Sequence, residues 1–183
     1  MAALSHPVII EIDKENWKQS LDRAERWFHF VQTVQTSFRK LAEDTQPKMH
    51  DSHLRDYLTE ITTRAREHET KAAELLRLIG REPKSSHNLT GTLFAKAREV
   101  TADLEGFMGG AASGWRDLSQ LVHASLDGIT AFGVANDIGL ALGLVEVTDL
   151  TLEVTGQKYI HHYLLQEITL ELGSLSVLYR TEP

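Results

Sequence analysis

Between Trp17 and Phe38 the chain sets Trp17, Leu21, Ala24, Phe28, Val31, Gln35 and Phe38 at steps of 4, 3, 4, 3, 4 and 3. That is the rhythm of one face of an α-helix. It returns at Leu54, Leu58, Ile61, Ala65, His68, Ala72, Leu75 and Ile79. The polar stretch "EDTQPK" between the two runs predicts a short turn centred near residues 46 and 47, and Gly80 followed by Pro83 predicts the second helix's end. Two helices of about 30 residues joined so closely must lie antiparallel.

The pattern loosens after "REPKSSHN". "TGTLFAKAREVTADLEGF" predicts a shorter helix capped by Thr90, and Gly106, Gly110 and Gly114, four residues apart, predict a hinge. From Trp115 to about Val147, Leu118, Val122, Leu126, Ile129 and Phe132 restore helical spacing. "VTDLTLEVTG" alternates Leu150, Leu152 and Val154 with Thr151, Glu153 and Thr155 as a strand does. A lone strand has no partner here, so the expectation is a helical end and a turn at Gly156. A final helix then runs from Gln157 to Arg180, with His161, Leu165, Ile168, Leu172, Leu175 and Tyr179 on one stripe. The fold class is therefore all-α, a four-helix bundle of two antiparallel helical hairpins, 12–80 and 115–181, joined by a long, partly helical crossover over 81–114.

Composition narrows the functions such a bundle can have. The 183 residues include no cysteine, which excludes disulfides, thiolate nucleophiles and cysteine-based metal sites and points to a reducing, cytoplasmic setting. "MAALSHPVIIEIDKENW" has no basic leader, so no secretory signal is expected, and the apolar window at "IGLALGLVEV" is too short to span a bilayer. The formal charge of -7 resides wholly in the C-terminal part, where Lys158 and Arg180 stand against nine acidic residues from Asp117 onward. The first 116 residues balance at 17 basic and 17 acidic. Without clustered Lys and Arg no nucleic-acid partner is expected. The charge-poor C-terminal helices suit an interface between subunits, so a homo-oligomer is expected.

"REHETKAAELLRLIGREP" followed by "TGTLFAKAREV" resembles the ferritin-like superfamily, in particular small bacterial ferritin-like bundle proteins linked with stress responses. The resemblance lies over Trp17–Val100. It implies a test, because the metal-binding members hold two metal ions with a carboxylate from each of two helices and a Glu-x-x-His pair from each of the others. None of the nine histidines here has an acidic residue three places before it. The di-metal motif is absent.

A weaker constellation remains. With the first turn at residues 46 and 47, Glu25 falls level with His68, and with the second at Gly156, Glu146 falls level with Glu167, one turn from Glu171. Glu25, His68, Glu167 and Glu171 are thus candidate ligands of a single iron, manganese or zinc ion. Alternatively, His68 is a neutral core residue hydrogen-bonded to Glu25, and Glu167 and Glu171 face solvent or another subunit. Gly-x-Ser-x-Gly, phosphate-loop and His-Glu-x-x-His signatures are all missing. The aromatic set Trp17, Trp27, Phe28, Phe30 and Phe38 exceeds what one helical stripe needs, which leaves packing on the crossover, a subunit contact or an apolar ligand pocket. The leading expectation is a non-enzymatic structural, interaction or stress-associated protein. Iron oxidation or sequestration, and apolar small-molecule binding, are the alternatives.

Overall fold

The computed structural model describes residues 13–85 and 112–179. Within them the chain forms four α-helices and no strand: α1 (Lys14–Thr45), α2 (Ser52–Leu78), α3 (Ala112–Leu142) and α4 (Val145–Tyr179). The helix anticipated after Thr90 and the glycines 106 and 110 lie outside the described residues. Each hairpin packs against itself, α1 on α2 and α3 on α4, and α1 lies against α3 as extensively as against α2. The hairpins thereby close into an all-α bundle.

Local chemistry sets the helix ends. Asp13 caps α1 by accepting from the Asn16 N–H at 2.9 Å, and Asp51 caps α2 by accepting from the His53 and Leu54 N–H groups at 2.8 and 3.0 Å. Between them α1 runs on to Thr45, and a single 3-10 turn over Gln46–Lys48 carries Pro47. Met49 then extends the chain before Asp51. This moves the hairpin's midpoint from the sequence expectation. Side chains that meet across it, residues 46 and 59, 36 and 69, and 22 and 81, average to about 52.

The second hairpin corrects the sequence reading further. Residues 147–156 are neither strand nor turn but part of the unbroken α4. The reversal lies at Gly143, whose φ of 65° is a left-handed conformation open to glycine, and the Leu144 N–H closes back on the Gly139 carbonyl at 2.8 Å. Two threonines of this stretch fit the helix because their hydroxyls donate one turn back, Thr148 to Leu144 O and Thr151 to Val147 O. Val147, Thr151, Val154, Lys158 and Leu165 are the inward stripe.

Long-range hydrogen bonds fix how the helices sit. Trp27 donates its indole N–H to Ala131 O at 3.0 Å, tying α1 to α3, while Asn136 donates to Thr148 O and Thr151 Oγ1, both at 3.1 Å, within the second hairpin. The Tyr57 hydroxyl donates to His161 O at 3.3 Å, linking α2 to α4. These contacts account for four of the five aromatics on α1, all but Trp17. Phe28 and Phe38 are core, Trp27 faces α3, and the half-exposed Phe30 packs on Trp27 with ring centroids 5.0 Å apart.

Candidate functional site

The bundle interior is two apolar clusters with a polar layer between them. One gathers Phe28, Val31, Leu75, Leu76, Phe132 and Val154; the other gathers Phe38, Leu58, Ile61, Leu118, Leu121 and Leu165. At the seam all four helices present buried polar side chains: Gln35 and Thr36 from α1, His68 from α2, Ser125 from α3 and Lys158 from α4. Buried polar groups need partners. Their hydrogen bonding therefore says what the layer can do.

Lys158 is the least ordinary member. Its side chain is 2 % exposed, yet among the described residues its amine has no hydrogen-bond partner. Nζ instead lies between two rings that belong to the opposite clusters, 4.8 Å from the Phe38 centroid and 5.6 Å from that of Phe132. Aromatic faces attract an ammonium, but less than the water it has lost. Burial accordingly lowers the Lys158 pKa to about 7, so this amine takes up and releases its proton in the neutral range.

A glycine makes the room. A Cβ at Gly128 would stand 2.8 Å from Lys158 Nζ, so the amine rests directly on the α3 backbone. Helix propensity favours alanine over glycine by about 1 kcal/mol in an exposed helix. Here the lysine tip must shift to admit the methyl while it stays enclosed between Phe38 and Phe132, and Gly128→Ala is expected to destabilise the protein by roughly 1–2 kcal/mol in urea unfolding. A gain in stability would show that the amine can swing clear.

His68, the residue that interrupts the apolar stripe of α2, is 1 % exposed. Its Nε2 is 2.8 Å from Gln157 Oε1, and the Gln157 amide nitrogen donates to Glu153 Oε1 at 3.2 Å. Because the carboxylate can only accept, it turns the amide oxygen toward the imidazole and assigns the proton to Nε2. Glu153 is anchored in turn by Lys71 Nζ at 2.5 Å. Burial, then the charge of Lys158, lower the His68 pKa to about 4 against the opposing Gln157 hydrogen bond. His68 is therefore neutral at pH 7. His161, with its ring centroid 6.5 Å from that of His68, is also shifted down, chiefly by burial.

The four residues read from sequence as metal ligands stand in three separate places. Glu25 meets Arg81 Nε at 3.0 Å and His29 Nε2 at 3.8 Å. His68 faces Gln157, not Glu25, because the first hairpin turns about five residues later than its proline suggests. Glu167 and Glu171 are exposed on α4, and with the reversal at Gly143 the proposed levelling of Glu146 with Glu167 disappears. No group of three His, Cys, Asp or Glu side chains suited to a metal ion occurs among the described residues.

Sequence reasoning missed Lys158 and Gln157. Placing the turn at Gly156 put both at a helix start, where a lysine is ordinarily solvated. The signal was present in the spacing Val147, Thr151, Val154, Lys158, Leu165, which only an unbroken helix uses.

No protein-family pattern matches the chain, and no curated protein is similar to it. A crystal structure of a protein from Xanthomonas campestris pv. campestris is similar in fold, with a TM-score of 0.70 over 88% of this chain and 97% of that one, at 12% sequence identity. The likeness is one of fold. Among the described residues no helix is long and apolar enough to cross a membrane.

Proposed function

We propose that the protein is a non-enzymatic helical-bundle protein of ferritin-like architecture that works by association, as a structural or interaction subunit. The observation that carries this reading is the outer face of the second hairpin. On α4, Leu152, Tyr159, Ile160, Tyr163 and Leu170 are each between 46 % and 69 % exposed, and Leu126 and Leu140 of α3 are exposed as well. Exposed large apolar side chains of this kind are what subunit interfaces present. The ferritin-like architecture is supported by two antiparallel hairpins and by a polar layer drawn from all four helices.

The reading is tested by sedimentation of the full chain over a range of concentrations. An assembly larger than one chain is expected, and replacing Leu152 and Leu170 together by glutamate should weaken it by at least about tenfold in Kd. Both side chains are exposed, so the thermal transition of the separated subunit should stay nearly unchanged. A wild-type chain that sediments as a monomer at all concentrations would sink the self-association on which the reading relies.

A further inference from the structure

The sides of the bundle are not packed alike. α3 and α4 lie together along their length and α1 packs broadly on both α2 and α3, whereas α2 and α4 approach each other at few points. Polar contacts bridge that sparse side: the Lys71–Glu153 ion pair at 2.5 Å, His68 Nε2 on Gln157 Oε1 at 2.8 Å, and the Tyr57 hydroxyl on His161 O at 3.3 Å. The ion pair lies at the surface, with the Glu153 side chain 55 % exposed and that of Lys71 27 %. A pair so open to water adds little to stability. The α1–α3 side differs, because the Trp27 tie to Ala131 O is set among Phe28, Val31, Phe132 and Ala135 of one apolar cluster.

Lys158 stands behind the sparse side, next along α4 from Gln157, and its amine has no hydrogen bond among the described residues. From α1 and α3 it meets the Phe38 and Phe132 rings and the backbone at Gly128. The ionisable groups that feel its charge are His68 on α2 and His161 on α4, and Lys71 on α2 acts on His68 as well. An ammonium held only by ring faces is far better accommodated once water reaches it. The polar layer meets solvent between α2 and α4, at Lys71 and Glu153. We infer that the bundle opens along its α2–α4 side, and that proton uptake by Lys158 drives this opening while α1 and α3 stay together. A fall in pH is thereby converted into exposure of the polar layer, with α4 still seated on α3.

The direction of the pH effect follows from the amine. Enclosed, it titrates at about 7; in water it titrates near 10.4. Between those values opening takes up a proton, so opening becomes rarer as pH rises, by up to about tenfold per unit. Burial holds His68 and His161 below the ordinary histidine range and Tyr57 above the ordinary tyrosine range, so none of them titrates between pH 7.5 and 9.

The absence of native cysteine makes the test direct, because any introduced thiol is unique. Val154→Cys puts a thiol one turn before Lys158, at a fully buried position clustered with Ala72 and Leu75 of α2. Leu165→Cys does the same in the other cluster, with Ile61 and Ala65 of α2. Ala131→Cys puts one on α3 at the Trp27 tie. The rate of labelling by an aromatic disulfide reagent, divided by the rate in the urea-unfolded chain at the same pH, gives the frequency of opening at each position. Urea unfolding of the same variants gives the frequency of whole-chain opening. At pH 7.5 positions 154 and 165 are expected to open at least about tenfold more often than the whole chain unfolds, and position 131 no more often than that. Between pH 7.5 and 9 their opening should fall by about tenfold or more, and in the Lys158→Met background it should be rarer at pH 7.5 and flat in pH. Labelling at 154 and 165 only as often as the whole chain unfolds would overturn the inference, since no local opening would exist. Equal opening at 131 would overturn it too, by placing the motion elsewhere, and an unchanged pH slope in Lys158→Met would show that another group drives it.

Discussion

Lys158→Met should raise the unfolding free energy at pH 7.5 by roughly 2–4 kcal/mol. The wild-type amine is enclosed between Phe38 and Phe132 with no hydrogen bond among the described residues, and burial lowers its pKa to about 7. In the unfolded chain the same amine titrates near 10.4. Between those values the unfolded state holds a proton that the folded state lacks, so wild-type stability must climb as pH rises from about 7 toward 10. Below pH 7 the full penalty applies, because the ammonium is then buried and no described residue gives it a counterion. Methionine keeps the length and flexibility of the stem and the helix propensity while removing the ionisable tip. The variant should accordingly be more stable at neutral pH and nearly flat in pH. Urea midpoints at pH 6.5, 7.5, 8.5 and 9.5 measure both effects. The upper limit matters, since burial raises the Tyr57 pKa and gives the opposite slope above pH 10. A variant less stable than the wild type, or one with the same slope, would show that the amine has a compensating partner.

A lysine in this position also separates two explanations of the layer. A structural polar layer, one that fixes the register of the helices, would satisfy each of its own groups. Gln35 does so in part, donating to Ala65 O at 2.9 Å while its Oε1 has no partner among the described residues, and His68 does so through Gln157. Lys158 contributes nothing of that kind among the described residues. Its amine instead sits between Phe132 of one cluster and Phe38 of the other. The two halves of the core are therefore joined by a layer whose stability depends on pH.

How much of this was legible in the sequence differs between the hairpins. On α1 and α2 the apolar stripe is opposed by strongly polar residues, so a single period was visible and both helices were read with their correct faces. The midpoint was missed because Pro47 opens a 3-10 turn that continues α1, and the extended Met49 follows before the Asp51 cap. On α4 two stripes compete. Val147, Val154 and Leu165 point inward while Leu152, Tyr163 and Leu170 point outward, and apolar residues on both faces blur the period into apparent alternation. The same ambiguity hid Lys158, which reads as a solvated residue until α4 is known to pass through it. The outward stripe is the feature on which the association reading rests.

His68 carries the second large effect, on the acid side of neutrality. With its folded pKa at about 4 and an unfolded value near 6.5, the unfolded chain gains a proton that the folded chain refuses as pH falls through that window. Stability that is complete above pH 6.5 should fall by about 3 kcal/mol by pH 4. His68→Leu fills much of the same volume without a titratable ring, and leaves the Gln157 amide oxygen, on a half-buried side chain, able to turn to water. It should lose about 1 kcal/mol at pH 7 and abolish most of the acid slope. His68→Ala, which also opens a cavity between Ala65 and Ala72, should lose roughly 2–4 kcal/mol. Lys158 supplies the control, because its charge is the second cause of the His68 shift. In Lys158→Met the acid limb should move to higher pH, toward the ordinary histidine range, with less stability lost across it. Should His68→Leu keep the wild-type acid slope, another group is titrating there. Should the acid limb stay in place in Lys158→Met, the two buried bases do not sense one another, and the layer is two isolated polar residues rather than one coupled site.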